Sequence, residues 1–351
     1  MPRAPKATIL AVVAALAVHH AAGAQNLAFN LFEQYLEPLR HQAGIPGLSA
    51  AILQDGQIVW ERGFGQRDLE AFLPALPDTP YPVADLTQTF SAVMVLTCVE
   101  LGLLDLDQPL GHWAPEAVTA GSTLRQLLGH AAPPGAVTGY QYDPGRFATL
   151  AAPIEACGRQ PFGKLLGQYI LDRMAMWDAV PGRDIVSASP ELPPLFDEAT
   201  LARYSASIAR LAAPYKVDKR RRASRSELPP GGINAAQGLI ASVRDLARYD
   251  AGLDVLLTPE SLAASWTNGA ANNVPLPTGL GWFVQTYQGE RIVWHFGLTP
   301  DAYSSLILKV PGRRLTLILL ANSDGLSGPF SLDQGDVTGS LFAKTFLRLF
   351  L

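Results

Sequence analysis

The chain has 351 residues, 48% hydrophobic and only 17% charged, with 27 Lys and Arg against 31 Asp and Glu for a formal net charge of −4. So much apolar material builds a large core and excludes intrinsic disorder, and the absence of excess positive charge excludes a general nucleic-acid binder, whose affinity comes from displaced phosphate counterions. Two cysteines are too few for a disulfide scaffold or a cysteine-based zinc site.

Residues 1–24 read as a secretory leader. Arg3 and Lys6 form a basic start, Ala7 to Val18 is apolar apart from Thr8, and Ala22-Gly23-Ala24 is a small-residue site with cleavage expected after Ala24. The apolar run is short for a membrane span and no later run is long enough, so no stable span is expected after leader removal. The expected location is periplasmic or secreted. Export places Cys98 and Cys157 in an oxidising compartment, where they can pair. The apolar helical setting of Cys98 favours a buried free thiol over that bridge.

Spacing of Leu27, Phe32, Tyr35, Leu36 and Leu39 predicts a helix over 27–43, stopped by Gly44-Ile45-Pro46-Gly47. Leu48 to Leu53 and Gln57 to Phe64 read as strands joined by Asp55-Gly56, a hairpin dipeptide in which both residues accept positive φ. A proline-rich turn precedes a helix from Asp85 to Leu104. Short, mostly helical elements follow over 103–112 and 123–130, then helices over 161–174 and 200–213. The basic run from Lys216 to Arg225 contains no aromatic residue and reads as a solvated loop. A helix is expected over 235–250, then strands over 281–287, 291–295, 302–310 and 314–322, and a closing helix over 335–351. This order predicts an α/β part built from about 25–84 and 230–351, with a mainly helical part, about 85–229, between them.

Several segments carry a resemblance. Ile45-Pro46-Gly47-Leu48-Ser49, Gly63-Phe64-Gly65, the run from Leu101 to Leu110, Leu127-Leu128-Gly129-His130, Pro230-Gly231-Gly232-Ile233, Asp245 to Tyr249, Gly279 to Trp282 and His295-Phe296-Gly297 appear in one order. That order resembles the serine β-lactamase-related family, which contains class C β-lactamases, D-alanyl-D-alanine peptidases and related esterases. The resemblance implies a β-lactamase/penicillin-binding-protein-like α/β fold, with an antiparallel sheet flanked by helices plus a mainly helical region. It implies neither a metal nor an organic cofactor.

The family's chemistry uses S-x-x-K at a helix start, where the lysine helps deprotonate the serine. A second motif, commonly Y-x-N, serves proton transfer and substrate orientation. A third, K-T-G or H-x-G, forms a strand wall and part of the oxyanion hole. Here the nucleophile and lysine positions hold Asp85 and Gln88, and no S-x-x-K occurs elsewhere. The second motif keeps Tyr142 but has Pro144 in place of the amide. The loop that reads H-T-S-G in the family is His130-Ala131-Ala132-Pro133. The third survives as His295-Phe296-Gly297, followed by Leu298.

Asp85-x-x-Gln88 also matches a capping box, in which both side chains serve backbone N–H groups at a helix start. A carboxylate attacking an ester or amide would give an anhydride, and its charge would repel the developing oxyanion. Thr87, Thr89 and Ser91 lack a recognisable base. The expectation is therefore a noncatalytic homologue. It would keep a cleft bordered by Asp85, Tyr142 and His295, with Tyr142, His295, Gly297 and Leu298 available to a peptide-like, acyl or cell-wall-related ligand, or to a protein partner. The alternative is a weak or altered hydrolase in which Asp85 or Tyr142 works with water.

Overall fold

The computed structural model describes residues 27–133, 136, 139–186, 194–271 and 273–351. The leader and its cleavage site lie outside these residues. Helix α1 spans 27–43. Strands β1 (Gly47–Gln54) and β2 (Gln57–Asp68) follow, turning at Asp55 and Gly56 with φ of 55° and 75°. That geometry is the left-handed turn a tight hairpin needs. A short strand β3 (Leu73–Pro74) continues the edge. Near the C-terminus come β4 (Phe283–Tyr287), β5 (Glu290–Thr299), β6 (Tyr303–Val310) and β7 (Leu315–Ala321). The strands form one seven-stranded antiparallel sheet in the order β4-β5-β6-β7-β1-β2-β3, so β1 and β7 pair the two ends of the chain, Leu48 opposite Ala321.

The central strands are buried on both faces, which explains their continuous apolar character. Along β7, Leu317 and Leu319 face one core and Ile318 and Leu320 the other, as the two-residue period of a strand requires. The first core is closed by α1 and by the last helix (Leu341–Phe350) through Phe32, Leu36, Phe342 and Phe346. The second is closed by helix α2 (Thr87–Glu100) and by the helix Val243–Ala251, where Phe90 stacks on Tyr249 at 3.8 Å.

Three expectations change. Residues 235–250 are not one helix: Leu239–Ala241 pairs with Tyr81–Pro82 and Val180–Pro181 in a small sheet, and the helix starts only after Ser242. Ser242 and Asp245 form the capping box there, so the local cap sets the boundary. The segment over 161–174 is a short α-helix, Phe162–Leu166, that loosens into a π-turn over Gly167–Asp172. Cys98 and Cys157 are paired, because α2 and the helix Ala151–Gly158 bring their Cα atoms to 6.4 Å.

The basic segment is a hairpin, Tyr215–Val217 with Ala223–Arg225, and three of its six basic side chains are spent on ion pairs. Arg222 pairs with Asp218, Arg225 with Asp68 and Glu70, and Lys216 with Asp301. Among the described residues no helix is long and apolar enough to cross a membrane.

Candidate functional site

Asp85 sits in a one-turn 3-10 helix, Ala84–Leu86, that runs directly into α2. Its predecessor Ala84 has φ 51°, an uncommon conformation for a residue with a side chain. Several bonds fix this turn: the Ser305 hydroxyl donates to the Val83 carbonyl at 2.7 Å, and the Thr87 hydroxyl donates to Ala84 at 2.7 Å. Strand β5 is pressed against it at Gly297, where a Cβ would lie 2.1 Å from the Val83 oxygen and 3.1 Å from the Ala84 Cβ. The glycine of the H-x-G motif is therefore a steric requirement of the strand-to-turn contact.

The capping box expected from Asp85 and Gln88 does not form. The residue flanking α2 is Leu86, with helical φ and ψ and no side-chain cap. Asp85 lies inside the 3-10 turn, so its carboxylate turns to β5 and accepts a hydrogen bond from the Leu298 N–H at 3.3 Å. The carboxyl is almost fully buried, and burial pushes its pKa up to about 7 against the partial relief of the Leu298 N–H. Among the described residues no Lys or Arg forms an ion pair with it.

Gln88 is fully buried and bonded on both sides. Its Oε1 lies 2.8 Å from His130 Nε2, and its Nε2 donates to the Tyr142 hydroxyl at 3.3 Å. His130 Nδ1 accepts from the Asp143 N–H at 3.3 Å, which assigns the ring proton to Nε2 and the donor role to His130 in its bond with Gln88. The relay Asp143 → His130 → Gln88 → Tyr142 thus needs a neutral imidazole, and burial holds the His130 pKa well below its usual value. A neutral amide that accepts and donates fits between these two rings. A lysine has no acceptor to offer His130.

Tyr142 is half-buried, packed 4.5 Å from His130 and 5.3 Å from Phe296 between ring centroids. Burial, with the Asp85 charge second, raises its pKa well above that of a free phenol, so it is a poor base at neutral pH. Pro144 opens the helix Pro144–Ala148 at its first turn, capped by Asp143, which accepts from the Arg146 N–H at 3.0 Å. Pro144, expected from the sequence at the motif's amide position, is a helix start. His295 is buried and donates from Nδ1 to the Phe296 carbonyl at 2.7 Å, and burial lowers its pKa to about 4.

Asp85, Gln88, Tyr142 and His295 thus come together, with Gly297 and Leu298 on the adjoining strand. They form a packed cluster: Asp85 is 6%, Gln88 0% and His295 1% exposed, and Tyr142 is half-buried. The cause is mutual satisfaction, since each polar side chain is turned onto a neighbour. The nearby hydroxyls are spent as well, Thr89 on the Leu86 carbonyl at 3.0 Å and Ser91 on the Ala235 carbonyl at 2.6 Å. His130 is the member that sequence reasoning missed; its place at the head of the family's H-T-S-G loop was the available signal. A cavity of about 320 Å³ is lined by Ala84 together with Arg183, Gly231, Gly232, Asn234, Gln237 and Thr299 among others.

The Beta-lactamase family model matches residues 32–336. The chain is 33% identical over 81 residues to the serine beta-lactamase-like protein LACTB, mitochondrial, of Bos taurus, a match covering 23% of this chain and 15% of that protein. It is 33% identical over 114 residues to the esterase EstB of Burkholderia gladioli, covering 30% of this chain and 29% of that one. The matched segments therefore span less than a third of either relative. The octameric penicillin-binding protein homologue from Pyrococcus abyssi superposes with a TM-score of 0.72 at 21% identity, covering 91% of this chain and 77% of that one. That likeness establishes the fold.

Proposed function

This chain belongs to the beta-lactamase family, and from that membership we propose that it is an exported, noncatalytic member that binds a peptide-like or acylated small molecule. The carrying observation is the Asp85 carboxylate bonded to the Leu298 N–H, where the family's chemistry requires a neutral hydroxyl beside a backbone donor for the oxyanion. Gln88 replaces the activating lysine and is locked between His130 and Tyr142. A serine hydrolase needs a nucleophile and its base within hydrogen-bond reach, and this cluster holds neither.

The ligand's place is the cavity beside Ala84. Arg183, Asn234 and Gln237 line it with polar side chains, beside Gly231 and Gly232. The paired Cys98 and Cys157 support the reading of residues 1–24 as an export signal, because such bridges persist in oxidising compartments.

Turnover is the test. Residues 25–351 are assayed with a chromogenic cephalosporin and a p-nitrophenyl ester beside the Asp85→Ser/Gln88→Lys double variant. The wild type is expected to be silent and the repaired variant to hydrolyse the ester. Wild-type turnover that disappears in Tyr142→Phe refutes the noncatalytic reading. Ligand binding is read separately, as a saturable rise in unfolding temperature with acyl-D-alanyl-D-alanine.

A further inference from the structure

A second recess lies on the far half of α2. It is reached from the Asp85 cluster by about two helical turns, Thr89 to Thr97, or roughly 12 Å along the axis. Its volume is about 230 Å³, and Met94, Ile154, Leu165, Ile170 and Leu256 form its walls beside the Cys98–Cys157 bridge. Two cations belong to the lining, Arg159 and Arg173, and it contains no carboxylate.

Both arginines are exposed, and neither forms an ion pair with a described residue. The Arg173 guanidinium is held in place by donating to the Val255 carbonyl at 3.0 Å. Arg159 ends the helix Ala151–Gly158 in a left-handed conformation, φ 53°, a position that ordinarily favours glycine. The remaining exposed lining is apolar: Leu101 is 66%, Leu103 59% and Tyr169 56% exposed.

A dry apolar cavity of about 150 Å³ suffices for benzene. The volume here corresponds to roughly eight water-sized groups, a chain of about eight to ten carbons. Water in such a recess finds few polar partners, whereas an alkyl tail fills it and an anionic head finds two arginines and no carboxylate in the lining. A recess accepts one tail; a membrane-binding surface would instead protrude. The geometry points to a binding site for a free medium-chain carboxylate, with its tail against the α2 wall and its head at Arg159 and Arg173. This site is separate from the cavity beside Ala84 and stands or falls independently of the noncatalytic reading.

Titration calorimetry with decanoate, below the concentration at which it aggregates, tests the assignment. One-to-one saturable binding is expected. Arg159→Gln/Arg173→Gln should weaken it at least tenfold, and decan-1-ol should bind at least tenfold more weakly than decanoate. Thr97→Phe, which fills the recess from a half-exposed helix position, should abolish binding while leaving the unfolding temperature close to that of the wild type. Asp85→Asn should bind decanoate unchanged. The assignment is overturned by absence of binding to the folded wild type, by equal binding of decan-1-ol, or by an unaffected arginine double variant. It is equally overturned if anionic phospholipid vesicles capture the protein while free decanoate does not bind.

Discussion

Asp85→Asn isolates the cost of placing a carboxyl at the head of α2. The asparagine keeps the shape and an oxygen to accept from Leu298, and removes the titration. In the folded protein the Asp85 pKa is raised to about 7 from 3.8, by burial. The folded state therefore binds more protons than the unfolded chain between these values, and stability falls as pH rises through that window. At 1.36 kcal/mol per unit, the contribution still present at pH 4.5 and lost by pH 8.5 is on the order of 3 kcal/mol. His295 works in the opposite direction: its folded pKa is lowered to about 4 from 6.5, so its contribution to stability grows as pH rises from 4 to 6.5. The wild-type profile alone is a sum of such terms, and the informative quantity is the difference between wild type and variant. Urea unfolding at pH 4.5, 6, 7 and 8.5 should show the variant gaining on the wild type by about 3 kcal/mol across the series, most of it below pH 7.5. Parallel profiles would refute the reasoning, because they would mean that Asp85 titrates in the folded protein as it does in the unfolded chain.

Two structural perturbations follow from the same geometry. Gly297→Ala places a methyl 2.1 Å from the Val83 oxygen; because that contact is backbone, a loss of roughly 3 kcal/mol or more is expected in denaturant unfolding, as for overpacking that nothing can relieve. Cys98→Ser/Cys157→Ser opens a bridge between positions 59 residues apart. Chain entropy places its worth at about 4 kcal/mol, so the double variant, and the wild type under reductant, should show matching drops in urea midpoint.

Much of the fold is legible in the sequence because its signals are local. Asp55-Gly56 specifies a two-residue hairpin whatever surrounds it. The apolar runs at 302–310 and 314–322 become strands of the central sheet, and the wide apolar stripe over 27–43 becomes a core-facing helix. The errors share a cause: a local pattern had two uses and a distant partner chose between them. Asp85-x-x-Gln88 satisfies the pattern of a capping box, but the Leu298 N–H competes for the carboxylate and His130 with Tyr142 competes for the amide. Residues 239–241 sit in a helix-like apolar pattern and are instead drawn into pairing with Tyr81–Pro82 and Val180–Pro181.

The sequence by itself determined the Asp55-Gly56 hairpin, the strands at 302–310 and 314–322, and the family, because residue identity and short-range spacing suffice for each. Only the tertiary structure decided that Cys98 meets Cys157, that His130 joins the site, and that Asp85, Gln88 and His295 are buried beside a half-buried Tyr142. Each of these depends on elements far apart in the chain meeting within a few ångströms. In so dry a setting a polar side chain follows the nearest unsatisfied partner, whichever part of the chain supplies it.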